Sequence, residues 1–425
     1  MVEKQPSCDD ISEPSLMPVE EARRRLFDTL RPVTEHEQVA LESALQRVLA
    51  TDIVSPMDVP SQANSAMDGY AIHSGSIPAQ GEARLRLLGS SWAGRPFEGV
   101  VAEGEAVRIF TGAIMPSGAD TVIIQEHVEA SEGVIDIDDG VVAGKNVRLA
   151  GEDVAAGQQI FSAGRYLQAS DIGVLASLGI RTVSVYRRLK VAFFTTGDEL
   201  RALDDHPEGE PLKPGMLFDS NRYTLAALLS GLGVETFNMG IVRDDEAQTR
   251  DALKKAAEIA DVVITSGGVS AGDADYVTRV FQELGEVSFW KLAMRPGRPL
   301  AYGTLGDTAF FGLPGNPVAV MVTFLQFVQP AVQFMAGRQK TLPLELPAQS
   351  LSTLRKSPGR TEYQRGVMFV NEFGVLVVES TGKQGAGRLS SMSSANCLIV
   401  IDHDINRVEL GDWVRVQPFH GLIAG

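Results

Sequence analysis

DVVITSGGVSAGDADYVTRVFQELG, residues 261–285, is the stretch on which the fold turns. The β-branched run Val262-Val263-Ile264 reads as a buried strand, Gly267 and Gly268 close it, and a helix follows the acidic stretch. The loop between them poses a chemical question. Its glycines leave backbone amides bare, which attracts anions, yet Asp273 and Asp275 repel them.

Working outward, LKVAFFTTG (189–197) reads as a buried strand and NRYTLAALLSGLG (221–233) as a helix with Gly231 near its C-cap. VETFNMGIV (234–242) is a second strand, and DDEAQTRDALKKAAEIA (244–260) a helix with Asp244 or Asp245 near its start. Strands alternating with helices of these lengths predict a parallel, doubly wound sheet covered on both faces, a three-layer α/β domain over residues 188–338.

The flanks differ in texture. Residues 1–16 are polar and acidic, without an apolar signal core, and read as a disordered tail. Residues 17–54 and 151–187 form a helical and linker part, with Pro18 in the first turn of a helix through Leu30. A second helical pattern covers Leu41 to Leu49, and a third, SDIGVLASLG, ends at Gly179. Between them, residues 55–150 carry short β-branched runs such as RLRLLGS, AVRIFTG and TVIIQEHV, an inserted β domain. Pro343 and Pro347 mark a linker, and residues 339–425 return to short strands, a small barrel or sandwich.

At 425 residues the chain exceeds one core. Its net charge of −16 sets the overall field against nucleic acid and anionic membranes, so an anionic ligand must be drawn in locally. Cys8 and Cys397 cannot build a disulfide framework, which fits a reducing cytoplasm. The isolated histidines lack zinc spacing. The apolar run 317–337 carries Gln326, Gln329 and Gln333 at helical spacing and is interrupted by Pro330, so a buried core helix is expected rather than a membrane span.

In a doubly wound sheet, ligands bind beyond the carboxyl ends of the strands. The loops there are Thr195-Thr196-Gly197-Asp198-Glu199, Arg243-Asp244-Asp245, Ser266-Gly267-Gly268 with Ser270 and Asp275 beyond, and Leu313-Pro314-Gly315-Asn316-Pro317. Each has a plain structural reading: a tight turn at the glycines, a cap at Asp244, a first-turn acid at Asp275. In the last loop Asn316 suits an N-cap and Pro317 the first helical position, which also aims free amides outward. Lys291, Arg295 and Arg298, stiffened by Pro296 and Pro299, supply positive charge and read as clamps on phosphate or an oxyanion rather than a solvated strip. Carboxylates beside a phosphate site make sense with a divalent cation between them, and magnesium takes one or two carboxylates plus phosphate oxygens. That answers the question of the opening loop: it holds a metal–phosphate pair. In the β-rich segment, Asp68 beside Gly69 and Thr111 before Gly112 are either turn residues or functional ones.

Together SAMDGYA, RIFTGA, AGEDV, TTGDEL, TSGGVSAGDADY, FWKLAMRPGRP and LPGNPVA resemble the molybdopterin molybdenumtransferases, the MoeA family, in order and spacing along nearly the whole chain. The resemblance implies a helical and linker part, an inserted β domain, a three-layer α/β domain and a C-terminal β barrel, assembled as a homodimer. It implies insertion of molybdate into adenylylated molybdopterin, with magnesium-dependent release of AMP. Asp68, Thr111, Asp153 and Glu199 match the family's polar active-site residues. Asp244 and Asp275 match acids near the phosphates and metal, and Gly267, Gly268 and Ser270 the loop between them. Lys291, Arg295, Arg298 and the Pro314–Pro317 turn, with Gly315 and Asn316, match the pterin and oxyanion side. Arg365 matches an arginine implicated in molybdate binding. The implied site is shared across the dimer, with Asp68 and Thr111 completing the partner's cleft, and other cofactor-synthesis enzymes are possible partners. Two departures stand out: arginine at 295 and 298, where the family often has lysine, and Ala386, where a serine is expected.

Three other readings compete. A molybdopterin adenylyltransferase shares the α/β domain but lacks the inserted domain and the barrel. A gephyrin-E-like scaffold need not keep the acids. A dinucleotide-dependent oxidoreductase would open its α/β domain with G-x-G-x-x-G, and here the first loop is TTGDEL.

Overall fold

The strand expected ahead of TTGDEL forms as β1 (Lys190–Thr196), in a computed structural model that describes residues 16–269, 276–340 and 342–419. The chain divides into two compact units, one of residues 38–45 and 51–184, the other of residues 1–37, 46–50 and 185–425. Ser270, Asp273 and Asp275 lie outside the described residues.

In the larger unit β1 is joined by β2 (Glu235–Val242), β3 (Val262–Ser266), β4 (Glu286–Lys291), β5 (Pro299–Leu305) and β6 (Thr308–Leu313), in the order β2-β1-β3-β6-β5-β4. Strands β2, β1, β3 and β6 are parallel as expected, but β5 pairs antiparallel with both β6 and β4, so it alone runs against the other five. The all-parallel expectation is therefore corrected: the chain turns straight back at Gly306-Asp307, and a hairpin needs no crossover helix.

Side chains of β1 alternate between two cores. Val191 and Phe193 pack with helices α1 (Val19–Thr29) and α2 (Ser220–Ser230), whereas Ala192 and Phe194 pack with α3 (Glu246–Ile259) and α4 (Tyr276–Leu284). That is why the strand reads as an unbroken apolar run: both faces are covered, and each buried phenylalanine contributes about 2 kcal/mol or more. Asp245, not Asp244, caps α3, accepting from Gln248 N at 2.8 Å. Pro18 sits at the N-cap of α1, one position before the first turn.

The apolar run is one rod, α5 (Pro317–Thr323), a π-turn (Phe324–Val328) and α6 (Gln329–Met335), long and apolar enough to cross a membrane but mostly buried among its neighbours. Pro330 does not interrupt it, contrary to expectation. Proline has no N–H for the carbonyl four residues back, at Gln326, and Arg23 Nε donates to that carbonyl instead at 3.1 Å. The Gln326 amide nitrogen donates to Gln417 Oε1 at 2.8 Å, so the rod also grips the C-terminal barrel.

That barrel is closed. Strands β7 (Leu346–Ser350), β8 (Thr361–Val370), β9 (Leu376–Ser380), β10 (Cys397–Ile401) and β11 (Trp413–Pro418) run β8-β9-β7-β11-β10 and back to β8. The fold is thus a multidomain mixture of α/β and β parts.

The smaller unit is built on a six-stranded sheet in the order 121–124, 69–72, 105–109, 82–91, 134–138, 129–131. A helix, Ala169–Ser177, is present in this unit. The helix expected over Leu41–Leu49 is not: a single 3-10 turn (Leu41–Ser43) forms, and Gln46 adopts φ +62°, which no α-helix accommodates.

Candidate active site

The carboxyl ends of β1, β2, β3 and β6 border one cavity of about 610 Å³. The chain leaves β1 for β2 on one side and then returns to β3 on the other, so the crevice between β1 and β3 is the topological switch point of the sheet. Thr196, Gly197 and Glu199 line it from the first loop, Asp244 from the second, Ser266 to Gly268 from the third, and Pro314 to Asn316 from the fourth. Arg295 to Pro299 form another wall, joined by Arg360, Gln384 and Ala386 from the C-terminal part.

Gly267 and Gly268 have φ +94° and +67°, and a Cβ on Gly267 would lie 2.6 Å from the Thr196 carbonyl oxygen. Only glycine lets this backbone lie against β1. Beneath it, Asn221 Nδ2 donates to Ser266 Oγ at 2.9 Å and to the Gly315 carbonyl at 2.8 Å. A carbonyl can only accept, so the amide orientation follows, and among the described residues Asn221 Oδ1 is a buried acceptor without a hydrogen-bond partner. Thr196 Oγ1 is buried and unmatched in the same way. Asn316 occupies the N-cap of α5 without a side-chain cap bond. The Val318 amide in that first turn donates to the Ala386 carbonyl at 3.1 Å.

The charges divide by wall. Asp244 accepts from Asp198 N at 3.3 Å and faces the cavity with Glu199, while Arg295, Arg298 and Arg360 lie on the Pro-Gly side. Among the described residues no three His, Cys, Asp or Glu side chains group to hold a metal by themselves. Lys291 ends β4, and neither it nor Pro317 is among the residues lining this cavity.

A second cavity of about 520 Å³, bordered by the barrel, shares Arg295, Pro296 and Gln384 with the first and adds Arg355 and Arg365. Arg365 is almost wholly buried. Its Nε donates to Ser391 Oγ at 3.0 Å and its Nη2 to the Gly385 carbonyl at 3.2 Å, both neutral partners, and burial pushes the guanidinium down to about 10. Arg295 is 3.5 Å from Glu362.

In the smaller unit, Asp68 Oδ1 accepts both Thr111 N and Thr111 Oγ1 at 2.8 Å, and these two bonds hold its carboxyl below the usual range. A side chain on Gly69 would collide with the Ile123 carbonyl, which explains the glycine beside the acid. Asp153 borders a separate cavity of this unit with Asn64, Arg148 and Glu152.

Three family profiles cover most of the chain: the MoeA N-terminal region (domain I and II) over residues 17–179, a probable molybdopterin binding domain over 192–333, and the MoeA C-terminal region (domain IV) over 347–419. A molybdopterin molybdenumtransferase from Haemophilus influenzae is 40% identical over 411 residues, 96% of this chain and 100% of that protein. The chain belongs to the MoeA family of molybdopterin molybdenumtransferases. Gephyrin from Dictyostelium discoideum is 31% identical over 94% of this chain and 62% of its own length. The solved MoeA protein from Pyrococcus horikoshii superposes with a TM-score of 0.82 at 29% identity, covering 95% of this chain and 100% of that one.

Within this MoeA-family chain the first cavity gathers Glu199, Asp244, Gly267, Gly268, Arg295, Arg298, Pro314, Gly315 and Asn316, and the second holds Arg365. Thr196, Asn221 and Gln384 also line the first cavity, and none of them stands out in the sequence as a site residue in its own right. One signal was available for Asn221: a polar residue in the first turn of a helix, two positions after Asp219, which already caps it through Arg222 N at 3.1 Å.

Proposed function

We propose that this enzyme of molybdenum cofactor synthesis inserts molybdate into adenylylated molybdopterin with release of AMP, the last step of the route. The observation that carries the reading is the switch-point cavity, where a glycine pair, two acids and two arginines of one Pro-Gly segment meet. The amides of Gly268, Gly315 and Asn316, which donate to no group among the described residues, suit phosphate oxygens, whereas the Gly267 amide is taken by the Leu313 carbonyl at 3.1 Å. Arg295 and Arg298 hold the anionic side by bidentate contacts that lysine cannot make. Arg365, a buried cation with neutral partners, suits a small oxyanion, which would be molybdate.

Magnesium fits the donor set. It keeps several waters and needs only one or two carboxylates besides phosphate, and Asp244 and Glu199 both line the cavity, so no larger acidic group is required. When bound it would neutralise charge developing on the phosphate as AMP leaves. Asp275, beyond the described residues, is the further candidate on the strength of the family resemblance. Asp68, Thr111 and Asp153 belong to the site on the same ground. The assembly is a homodimer in which Asp68 and Thr111 of one chain complete the other chain's cleft, working in the cytoplasm beside the enzymes that supply the adenylylated substrate.

The adenylyltransferase alternative accounts for only the central region of the three matched here. The deciding experiment incubates the purified protein with adenylylated molybdopterin, magnesium and molybdate and measures AMP. Release that needs both ions is expected. Release that survives chelation of magnesium would remove the metal from this account, and a solution mass near that of one chain, 45.6 kDa, would remove the shared site.

A further inference from the structure

The hydrogen-bond ladder between β3 and β6 ends at the pair Ser266 and Leu313, with one further bond from Gly267 N to the Leu313 carbonyl at 3.1 Å. Beyond it the two chains diverge into the glycine pair on one side and the Pro-Gly-Asn-Pro turn on the other. Asn221, less than a tenth exposed in the first turn of α2, spans this gap. Its two amide protons go to different loops, one to Ser266 Oγ at 2.9 Å and one to the Gly315 carbonyl at 2.8 Å. Ser266 Oγ passes the connection on, donating to the Pro314 carbonyl at 3.2 Å. Gly315 is close enough to its neighbour that a Cβ there would lie 3.9 Å from Gly267 Cα.

We propose that Asn221 is a positioning residue for the nucleotide-bearing substrate: it sets the spacing of the two amide-rich loops that receive it. The side-chain chemistry is restrictive. The site needs two donors on one short side chain, because both acceptors already face inward. Aspartate has none when ionised, serine has one, and leucine matches the volume with neither. The inference rests on the proposed reaction, since that identifies what the loops receive.

The test uses the full-length protein, assayed by AMP release with adenylylated molybdopterin, magnesium and molybdate. In Asn221→Leu the KM for adenylylated molybdopterin is expected to rise about tenfold or more, the loss of two buried hydrogen bonds. The half-saturating molybdate concentration is expected to stay within about twofold, because Arg365 is held by Ser391 and Gly385 rather than by these loops. Asn221→Asp supplies the readout that a merely structural role would not give. Its carboxyl, buried against carbonyls, takes up a proton more readily than usual, and once protonated it regains one donor. Its KM, divided by the wild-type value, should therefore fall as pH is lowered from about 8 to about 6, while the Asn221→Leu ratio stays flat.

An unchanged KM in Asn221→Leu overturns the proposal. So does an equal rise in both concentrations, or an Asn221→Asp ratio without pH dependence. Should Asn221→Leu fail to fold, Asn221→Ser replaces it: an intermediate KM is expected, and a wild-type value overturns the idea. Should the wild type itself release no AMP, the reading of the reaction fails instead. Asn221 is then judged by calorimetric titration with AMP alone, where an undiminished affinity in the variants overturns its positioning role.

Discussion

The two cavities of the larger unit, which share Arg295 and Gln384, are built on opposite plans. The switch-point cavity is made of backbone: glycines at positive φ, a proline-rich turn, and side chains such as Asn221 that hold loops in place. The barrel cavity is made of a side chain, Arg365, driven almost fully out of water and held by a hydroxyl and a carbonyl. Neither plan is free of cost. The first leaves Thr196 Oγ1 and Asn221 Oδ1 unmatched among the described residues, and the second buries a cation against neutral hydrogen-bond partners. A ligand that spans many contacts suits the first, and a compact anion the second.

If the comparison holds, the largest effect comes from adding one methyl group to the backbone-built cavity. Gly267→Ala puts a Cβ against the Thr196 carbonyl at a φ that alanine resists, and should lower stability by about 2–4 kcal/mol in urea denaturation. Displacing the loop by an ångström should also reduce AMP release about 100-fold. Near-normal turnover in a folded Gly267→Ala would mean that the glycine loop does not shape the site.

Next comes the side-chain-built cavity, where function and stability should part company. Arg365→Met removes a charge-assisted donor, so half-saturation by molybdate should rise about 10- to 100-fold. Its melting temperature should not fall. Burial pushes the folded-state guanidinium down to about 10, below its unfolded value, so the unfolded chain holds that proton more tightly. The resulting penalty is in force at every pH below that value and fades only as pH rises through it. Any gain in melting temperature for Arg365→Met should therefore be constant between about pH 6 and about pH 9. A variant that loses stability while its molybdate curve stays put would reverse the assignment of this cavity.

The smallest effect is expected in the smaller unit, where an acid is held without burial. Asp68 is depressed by its two bonds from Thr111, so its contribution is present above the ordinary aspartate range and is lost as pH falls through its lowered value. Thr111→Val deletes the hydroxyl donor and leaves the backbone one. Its melting temperature should match the wild type within about 2 °C at pH 7 and fall less steeply on acidification below about pH 4. A large loss at neutral pH would show that the pair is structural, unlike either cavity.

Much of this could be read along the chain because it depends on neighbours in sequence. Apolar runs covered on both faces gave β1 and β3, Gly231 ended α2, and the loops after the strands were identifiable as the ligand edge once the alternation of strands and helices was seen. The reversed direction of β5, in its hairpin with β6, was not readable, since a strand's direction in a sheet depends on which partner it meets. The unbroken passage of the helical rod through Pro330 was not readable either, because the donor that replaces the missing N–H is Arg23, 303 positions from the Gln326 carbonyl it serves.

The sequence by itself determined most of the elements, the family and the residue types that meet at the cavities: glycines, acids and arginines. Only the tertiary structure decided how those types are distributed. It placed Glu199 and Asp244 on one cavity and Arg365 on another, kept Lys291 off the first, and gave Asn221 its role. The reason is physical. Asn221 matters through partners 45 and 94 residues away, brought beneath the same two loops by the packing of α2 against the sheet, and no local pattern encodes a contact that exists only after the layers close.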